Sequence, residues 1–339
     1  MPCRILVKKT FRVKNNSRRR LNFLKRNKTG DQPKRSLGRR IWRFCWKSVM
    51  WFFIITISWV ILYKWINPPI TIIQIAERCD CPAGSEYHRE WVDGENISVN
   101  MKLAVVASED NNFMKHGGID WGAVEKARKY NETIGKKKGK MRGASTISQQ
   151  TAKNVFLWKG ENKVSRWLRK GFEVYFTYLI EWIWGKERIM EVYLNVIEMG
   201  PCKFGVEASA NDYFNTTASK LSREQAAIIA GCLPNPKKYL VAKPGPYLKK
   251  RQGQIVRLMR LIGDSYFDRY GDNAEDEKVK KEEEEIEKRI EALPKDDLPE
   301  KVEEESSDIP VELDEPTKEE VQPEEIQVEK TEPDTSGNR

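Results

Sequence analysis

An uncharged stretch near the amino terminus constrains the fold more than any other part of the sequence. Residues Ser48–Tyr63 carry no charge and are bounded by Lys47 and Lys64. The stretch is slightly shorter than the roughly 20 residues that span a bilayer, but tryptophans extend it at both ends and the lysines reach toward the membrane surface. No cleavage site of small residues follows it. We therefore predict an uncleaved transmembrane anchor over residues 48–66, in preference to a buried core helix.

Charge is distributed unevenly on the two sides of this anchor. The net charge of +10 combines a basic arm, residues 1–47, in which Asp31 is the one acid, with a C-terminal region rich in Glu and Asp. Basic residues that flank a span stay on the cytoplasmic side, so we expect the arm in the cytoplasm and the chain after residue 67 outside. Membrane topology and contact with anionic lipid explain the positive charge of the arm, and no nucleic-acid partner is predicted. Residues 263–339 hold few apolar residues and are predicted to be an acidic, largely disordered tail.

The cysteines divide by compartment. Cys79, Cys81, Cys202 and Cys232 follow the anchor and would lie where a disulfide can form, but the sequence leaves their pairing open. The chain has two histidines, and its cysteines lack the spacing of a zinc site. We therefore assign no metal ligand.

The first motif that contains candidate catalytic residues follows a buried segment. The apolar run Leu103–Ala107 leads to two adjacent carboxylates, Glu109 and Asp110. If the segment is helical, Phe113 and His116 lie on the same face as Glu109, at i+4 and i+7. A carboxylate at the end of a buried segment, beside an aromatic ring and an imidazole, suits a general base. The alternative is a helix end with acidic surface residues and a core phenylalanine.

A second motif follows a turn of small residues at 143–145. Thr146 is the predicted N-cap of the helix that begins there. Gln150, Lys153 and Asn154 then share one face of that helix. Backbone amides, the helix dipole and a lysine together favour a phosphate group at such a place. The alternative is a solvated polar face.

A third region, Trp167–Gly200, predicts two helices separated at Gly185. The first helix is rich in aromatic residues and carries Arg169 and Glu173 four positions apart. These two residues form either a surface ion pair of little energetic value or part of a functional site.

The rest of the outer region also predicts helices, and no strand-like alternation is evident. Asp120 is the predicted N-cap of another helix, and residues 131–140 are predicted to be a mobile basic loop. The fold class is therefore mainly α, with one domain over residues 67–262. Further helices are predicted at residues 207–214, 222–232, 247–262 and 275–293.

Four ordered motifs make the chain resemble the peptidoglycan glycosyltransferases of glycosyltransferase family 51. The resemblance runs from about Asn67 to Leu261, and within the family the chain looks like the monofunctional membrane-anchored enzymes. It lacks the Ser-x-x-Lys motif of a penicillin-binding transpeptidase domain. Two departures from the family pattern are Ala144, at the usual second glycine of the turn, and Cys202-Lys203-Phe204 before Gly205. The motifs are Glu109-Asp110-x-x-Phe113-x-x-His116-x-Gly118, Gly143-x-Ser145-Thr146-x-x-Gln149-Gln150-x-x-Lys153-Asn154, Arg169-Lys170-x-x-Glu173 and Lys186-x-x-Ile189-x-x-x-Tyr193-Leu194-Asn195.

This resemblance implies a lysozyme-like helical glycosyltransferase domain behind one N-terminal transmembrane helix. The implied reaction polymerises glycan strands from lipid II by inverting glycosyl transfer, with release of polyprenyl diphosphate. The implied location is the bacterial inner membrane, crossed once, with a cytoplasmic N-terminus and a periplasmic catalytic domain. The implied partners are lipid II, the growing glycan strand, membrane lipids and other cell-wall synthesis proteins. No cofactor is required by the resemblance, although it leaves room for a divalent cation, Mg²⁺.

The resemblance also implies roles for individual residues. Glu109 is expected to be the base that activates the acceptor 4-hydroxyl, and Glu173 a second catalytic carboxylate that orients the cations. Lys153 and Arg169 are expected to hold the diphosphate, aided by Lys170 or Lys186. The residues expected to bind substrate or shape its site are Asp110, Phe113, His116, Thr146, Gln150, Lys153, Asn154, Arg169, Lys170 and Lys186.

Two other functions compete with polymerisation. A lytic muramidase that cleaves preformed glycan would also be helical and would also use a catalytic glutamate. It would not need the cation cluster that a diphosphate donor requires. A non-catalytic membrane scaffold would bind partners through its acidic tail but would not need Glu109 and Glu173.

Overall fold

The computed structural model describes residues 37–81, 85–138, 141–160, 162–270, 277–294 and 298–299. These residues are predominantly helical, which confirms the predicted mainly α class. The predicted properties of residues 1–36, and of the tail from residue 300 onward, lie outside the described residues. The helices are α1 (Leu37–Trp65), α2 (Ile72–Cys79), α3 (Val99–Glu109), α4 (Trp121–Tyr130), α5 (Lys136–Lys138), α6 (Ile147–Phe156), α7 (Lys163–Ile183), α8 (Lys186–Val196), α9 (Val206–Phe214), α10 (Arg223–Cys232), α11 (Pro246–Ile262), α12 (Tyr266–Arg269) and α13 (Glu277–Glu291).

Helix α1 begins earlier than the predicted anchor, at Leu37 rather than near residue 48. The residues between these positions include no proline, so nothing stops the helix from extending into the basic segment. Its 29 residues correspond to about 43 Å, which exceeds the roughly 30 Å hydrocarbon core of a bilayer. Within the described part of the chain, α1 is the one helix long and apolar enough to cross a membrane.

The chain divides into two compact units, residues 1–55 and 56–339. In the second unit, the last turns of α1 pack against α7 and α8. Trp184 Nε1 donates to the Val60 carbonyl at 2.7 Å, and Arg188 donates to the Tyr63 carbonyl at 3.0 Å. The C-terminal part of α1 is therefore bound to the helical domain by hydrogen bonds as well as by the chain.

Helix α3 lies in the core of the second unit. The side chains of Leu103–Ala107 are completely or almost completely buried. This is expected of a helix that is apolar on every side. Helices α10 and α11 pack against α3, while α6 packs against α7 and α8. The polar residues that follow the apolar part of α3 are thus fixed by a rigid core.

The predicted helix boundaries are confirmed where local signals define them. Asp120 accepts a hydrogen bond from the Ala123 amide at 2.8 Å and begins α4. Thr146 and Gln149 form a reciprocal capping box at the start of α6. Gly185 adopts a φ of 82° between α7 and α8, a conformation that glycine accommodates without strain.

The predicted mobile loop at residues 131–140 is wrong over its described part. Asn131–Gly135 form a π-helical turn that continues α4, and α5 follows directly. The Asn131 side chain accepts a hydrogen bond from the Arg142 amide at 2.7 Å and donates to the Arg142 carbonyl at 3.0 Å. These two bonds order a segment whose lysine content had suggested a loop.

A small sheet, which the sequence did not predict, joins the segment after α2 to the segment after α8. Its strands are β1 (His88–Arg89), β2 (Glu198–Gly200) and β3 (Lys203–Phe204), in the order β1-β3-β2. Strands of two or three residues are too short to show an alternating pattern. A disulfide between Cys81 and Cys202 links the same two regions. Of the other cysteines in the described residues, Cys45 and Cys79 are exposed and Cys232 is buried.

Packed structure continues beyond the predicted end of the domain at Ile262. Tyr266 of α12 is 3% exposed, and its hydroxyl accepts a hydrogen bond from the Met114 amide at 3.2 Å. The helix α13 then packs against α11. Its Ile290 lies against the core, and its Glu287 pairs with Lys115. The first part of the acidic tail is therefore helical and attached to the domain.

Candidate active site

Glu109 is the last residue of α3, and side chains from several elements hold its carboxylate. Gln150 Nε2 on α6 donates to Glu109 Oε2 at 3.0 Å, and Ser108 Oγ donates to Oε1 at 2.9 Å. The Arg251 guanidinium on α11 lies 3.5 Å from Oε1 and donates to Ser108 Oγ at 3.0 Å. Glu109 is 8% exposed. The predicted base is a buried, ion-paired carboxylate and not an acidic surface residue.

The polar face of α6 forms part of this network. The Tyr193 hydroxyl on α8 donates to Gln150 Oε1 at 3.1 Å, which turns the amide nitrogen of Gln150 toward Glu109. Asn154 Nδ2 donates to the Gln150 carbonyl at 2.8 Å. Gln150 and Asn154 are buried, whereas Lys153 on the same face is partly exposed. The face is therefore not the solvated polar surface that formed the alternative interpretation.

Asp110 connects the first two motifs. Its carboxylate accepts hydrogen bonds from His116 Nε2 at 3.0 Å and from the Ile147 amide, at the start of α6, at 3.1 Å. A carboxylate at a helix N-terminus is favoured by the exposed amides and by the helix dipole. Asp110 is 2% exposed. Asp110 and His116 thus set the relative positions of α3 and α6.

Phe113 and Thr146, which were expected to bind substrate or shape its site, are both completely buried. The Phe113 ring packs edge-on against His116. The Thr146 hydroxyl donates to the Gly118 carbonyl and caps α6. Both residues support the site from within the core.

Lys186 has a carboxylate partner within the protein. Its Nζ donates to Glu181 Oε1 at 2.7 Å and to the His116 carbonyl at 2.6 Å, and it lies 4.5 Å from the centre of the Phe113 ring. Glu181 also accepts a hydrogen bond from Ser148 on α6. Because its side chain is only 16% exposed and is held by both Glu181 and the His116 carbonyl, Lys186 is better suited to fixing the loop after α3 than to binding a phosphate.

The third motif places its charged residues on α7. Glu173 is 5% exposed, and its carboxylate pairs with Lys170, one turn earlier on the same helix. Arg169 is half-buried beside them. The ion pair between Arg169 and Glu173, which was one of the two alternatives for these residues, is therefore replaced by a pair between Lys170 and Glu173. Lys153, Arg169 and Lys170 remain the cations best suited to a phosphate group.

Gly118 brings the loop after α3 into direct contact with α7. Its φ of 101° lies in the region that favours glycine, and a Cβ atom there would lie 2.7 Å from Thr177 Cγ2. A larger residue would push the loop that carries His116 away from the helix that carries Glu173. The glycine of the first motif is therefore required by packing.

Glu198 on β2 is a partly buried acid outside the predicted site. Its pKa is raised to about 7, chiefly by burial and to a smaller extent by the charge of Glu77, against the opposing effects of Lys237, the Cys202 amide and Lys159. The Cys202 amide donates to Glu198 Oε1 at 3.2 Å. Glu77 itself pairs with Lys159 and Lys237. This ionic cluster ties α2 to the segments after α6 and α10.

No protein metal site is formed by the described residues, among which no three His, Cys, Asp or Glu side chains converge. Near the third motif the buried Glu173 is already paired with Lys170. These residues do not fit a cage of carboxylates around Mg²⁺. The ion is commonly bound through one or two carboxylates together with substrate phosphates.

Ser108, Tyr193 and Arg251 also belong to the Glu109 network, which was not predicted from the sequence. For Arg251, the sequence did contain a signal of burial. It lies on the stripe of α11 that also contains Leu248 and Ile255, all three of which are buried. A charged residue on an otherwise apolar stripe needs a buried partner.

The outer face of α7 carries large apolar side chains that no part of the described protein covers. Trp167 and Trp182 are 77% and 82% exposed, and Leu168 and Tyr178 are also exposed. The inner face of the same helix buries Phe176 and Ile180. An apolar surface of this kind is typical of contact with another protein or with a membrane.

Comparison with known proteins gives a consistent result. A family model described as Transglycosylase matches residues 76–260. A biosynthetic peptidoglycan transglycosylase of Bacteroides thetaiotaomicron is 49% identical over 227 residues, which cover 66% of this chain and 88% of the relative. Proteins of the same name from Bdellovibrio bacteriovorus and Pseudomonas aeruginosa are 44% identical over 225 residues and 41% identical over 236 residues. These alignments cover 66% and 68% of this chain, and 87% and 97% of the two relatives.

Proposed function

The chain belongs to the transglycosylase family and polymerises peptidoglycan glycan strands, and we propose that Glu109 is the general base of this glycosyl transfer. The observation that carries the proposal is the carboxylate at the end of α3, buried yet ionically paired and hydrogen-bonded on both oxygens. A base must be held within hydrogen-bonding reach of the proton that it removes. The network around Glu109 provides that fixed position.

In this proposal the donor is lipid II and the acceptor is a second saccharide with a free 4-hydroxyl. Glu109 takes the hydroxyl proton while the hydroxyl oxygen attacks the anomeric carbon of the donor. The bond from that carbon to the diphosphate oxygen breaks with inversion, and its electron pair leaves with the polyprenyl diphosphate. A diphosphate is a good leaving group, so the step requires positive charge near the departing oxygens more than it requires a strong acid.

We assign that positive charge to Lys153, Arg169 and Lys170. They lie on α6 and α7, which pack against each other. Glu173 holds Lys170 in place, which is a supporting role and not that of a proton donor. Lys170 and Lys186 are both paired with a carboxylate, but the Lys170 side chain is 53% exposed and that of Lys186 is 16% exposed. We therefore assign Lys186 and the buried Thr146 to supporting the site. We propose no step that passes through Mg²⁺, and an ion present during the reaction would arrive with the diphosphate.

Membrane attachment through α1 fits a substrate with a polyprenyl tail. We propose that the exposed aromatic face of α7 rests on the same bilayer, since hydrogen bonds join α7 and its C-cap to the last turns of α1. Thr56 and Tyr175 bond at 2.8 Å, and Trp184 bonds to Val60. The basic arm then lies in the cytoplasm and the catalytic domain in the periplasm. This places the site near lipid head groups, where a diphosphate is found.

The test is incubation of the full chain in detergent or vesicles with lipid II, followed by separation of products by size. We expect growing glycan polymer from the parent and none from Glu109→Gln, which preserves the shape of the side chain but removes the base. A Lys220→Gln variant, altered at an exposed surface residue, serves as the control. Activity of Glu109→Gln within tenfold of the parent would disprove the assignment of the base. Release of soluble fragments from preformed glycan would instead identify a muramidase, and absence of turnover in the parent would favour a scaffold.

A further inference from the structure

Arg251 is a buried cation directly beside the proposed base. It lies in the middle of α11, is 2% exposed, and is the largest completely buried side chain of the described residues. Its guanidinium donates to Ser108 Oγ at 3.0 Å and lies 3.5 Å from Glu109 Oε1. Leu248 and Ile255, its neighbours on the same stripe, make only apolar contacts with the core. The position of Arg251 therefore calls for an explanation beyond packing.

Stability alone does not explain a buried charge at this place. Removing a guanidinium from water costs several kcal/mol, and replacing a buried ion pair with well-packed apolar residues is often neutral or stabilising. An arginine on the apolar stripe of α11 is thus poorly suited to holding the helix on the core. It is well suited to balancing the charge of a carboxylate that must stay ionised while buried.

The other groups that face Glu109 do not provide this balance. Gln150 on α6 and Tyr193 on α8 contribute neutral hydrogen-bonding groups. Cys232 on α10 has its pKa raised well above the usual value by burial and by the charges of Glu198 and Glu109, so its thiol is neutral. Asp110 adds a negative charge that is directed to His116 and to the start of α6.

The hydrogen bonds also distinguish the two oxygens of Glu109. Oε1 faces the Arg251 guanidinium and Ser108 Oγ, whose single proton is shared between Oε1 and the Ala230 carbonyl, whereas Oε2 accepts one hydrogen bond, from Gln150. A carboxylate oxygen has two lone pairs. Oε2 therefore keeps one acceptor position for the hydroxyl of a substrate.

We propose that Arg251 is a positioning residue for glycosyl transfer, which pairs with Glu109 Oε1 and holds the carboxylate turned so that Oε2 receives the proton of the acceptor hydroxyl. This inference rests on the proposed role of Glu109 as the base. Arg251 itself does not contact the substrate. It acts through Oε1 and through Ser108.

The test compares Arg251→Met, Arg251→Lys and the exposed-surface control Arg260→Met, with kcat and KM for lipid II measured across the pH range. For Arg251→Met we expect kcat to fall roughly 10- to 100-fold, the loss typical of a misplaced catalytic group, with KM nearly unchanged. The acid limb of kcat/KM should move to higher pH, because the buried carboxylate loses the charge that keeps it ionised. Arg251→Lys should recover the acid limb more fully than it recovers kcat, because a lysine restores the charge but not the fork of hydrogen bonds. Arg260→Met should match the parent.

Several outcomes separate this inference from the proposed function. A loss of kcat in Arg251→Met that is the same at every pH, and is not improved by Arg251→Lys, would reduce Arg251 to a structural residue. If Arg251→Met has the kcat and pH profile of the parent while Glu109→Gln is inactive, the inference about Arg251 is wrong and the proposed base still stands. If Glu109→Gln is itself active, both proposals fail. Should Arg251→Met not fold, as judged by its thermal transition, the pH profiles of Arg251→Lys and Ser108→Ala test the same network.

Discussion

Glu109 and Glu173 are the two acids that were expected to be catalytic, and they are almost equally buried, with 8% and 5% of their surface exposed. They differ in what holds them. Glu109 is bound by Ser108 and by residues of α6 and α11, whereas the carboxylate of Glu173 pairs with Lys170 of its own helix. The Lys170 side chain is 53% exposed. The first acid is fixed by distant parts of the chain, and the second can follow a mobile lysine. The two acids therefore differ in how many separate elements hold the carboxylate, and not in burial. This difference separates the position of a base from that of a supporting charge.

The largest effect should come from shortening Glu109 by one methylene, and the same change at Glu173 provides the comparison. Glu109→Asp withdraws the carboxylate from Gln150 and Arg251, which cannot follow it, so we expect kcat to fall roughly 100-fold or more. Glu173→Asp should lose about tenfold or less, because Lys170 can adjust. Polymerisation rates with saturating lipid II measure both variants. Equal losses in the two variants would contradict the proposed difference between the acids.

Substitution of Lys153 tests the region between the two acids. Lys153 lies one turn beyond Gln150 on α6, and α6 packs against α7, the helix that carries Glu173. If it holds the diphosphate, Lys153→Met should lower turnover by roughly 100-fold and also weaken donor binding. Lys153→Arg should recover part of the rate, because a planar guanidinium does not replace a compact ammonium. Kinetics at saturating and limiting lipid II separate the two effects. Parental rates in Lys153→Met, matching an exposed-lysine control such as Lys220→Met, would remove the phosphate site from α6.

A third acid extends the comparison to stability. Burial raises the pKa of Glu198 to about 7 from an ordinary value of 4.5, so the folded protein binds this proton more tightly than the unfolded chain. The stabilisation from protonated Glu198 is therefore complete below about pH 4.5 and is lost as the pH rises through about 7. We expect the Tm of the parent to fall, relative to that of Glu198→Gln, between about pH 5 and about pH 8. Calorimetry of both proteins measures this, and parallel pH curves would show that Glu198 does not titrate as expected.

The smallest effect should follow truncation at the C-terminus. Removing residues 295–339 leaves α13 in place and should change neither rate nor stability. Removing residues 275–339 also removes α13, whose Glu287 pairs with Lys115 in the loop after Glu109 and whose Ile290 packs on the core. We expect a loss of about 1–2 kcal/mol of unfolding free energy and a rate within about threefold of the parent. Thermal melts and the lipid II assay of both truncations test this, and a large loss of activity in the longer truncation would make α13 part of the site.

Local sequence signals predicted much of the fold. Asp120, Thr146 and Gly185 act at the helix boundaries that their residue types indicate, because caps and breaks depend on neighbours within a few positions. The apolar run before Glu109 likewise predicted a buried segment. The anchor was predicted from its lack of charge, but not its start at Leu37, because helix propensity in a basic segment gives no clear boundary.

The site was predicted less completely, because its geometry depends on contacts between distant residues. The motifs contained Glu109 and Gln150, but their bond to each other joins positions 41 apart. The contact of Arg251 with Ser108 spans 143 positions, and periodicity within one helix does not reveal it. Phe113 and Thr146 were expected to bind substrate or shape its site because they belong to the motifs, and both are buried in the core. A motif records residues that a site requires, without separating those that touch the substrate from those that support it.

The Cys81–Cys202 disulfide has a consequence for how the protein is made. The bond joins cysteines 121 positions apart, and the segment between them includes Glu109, Lys153 and Glu173. During synthesis Cys81 emerges long before Cys202, so its thiol stays unpaired until the intervening chain has been made. Cys79, exposed and two positions away, can compete for the same partner, and thiol–disulfide exchange then selects between the two. Covalent closure of the domain is thus a late event in biogenesis, and the periplasmic location that we propose supplies the oxidising compartment that it needs.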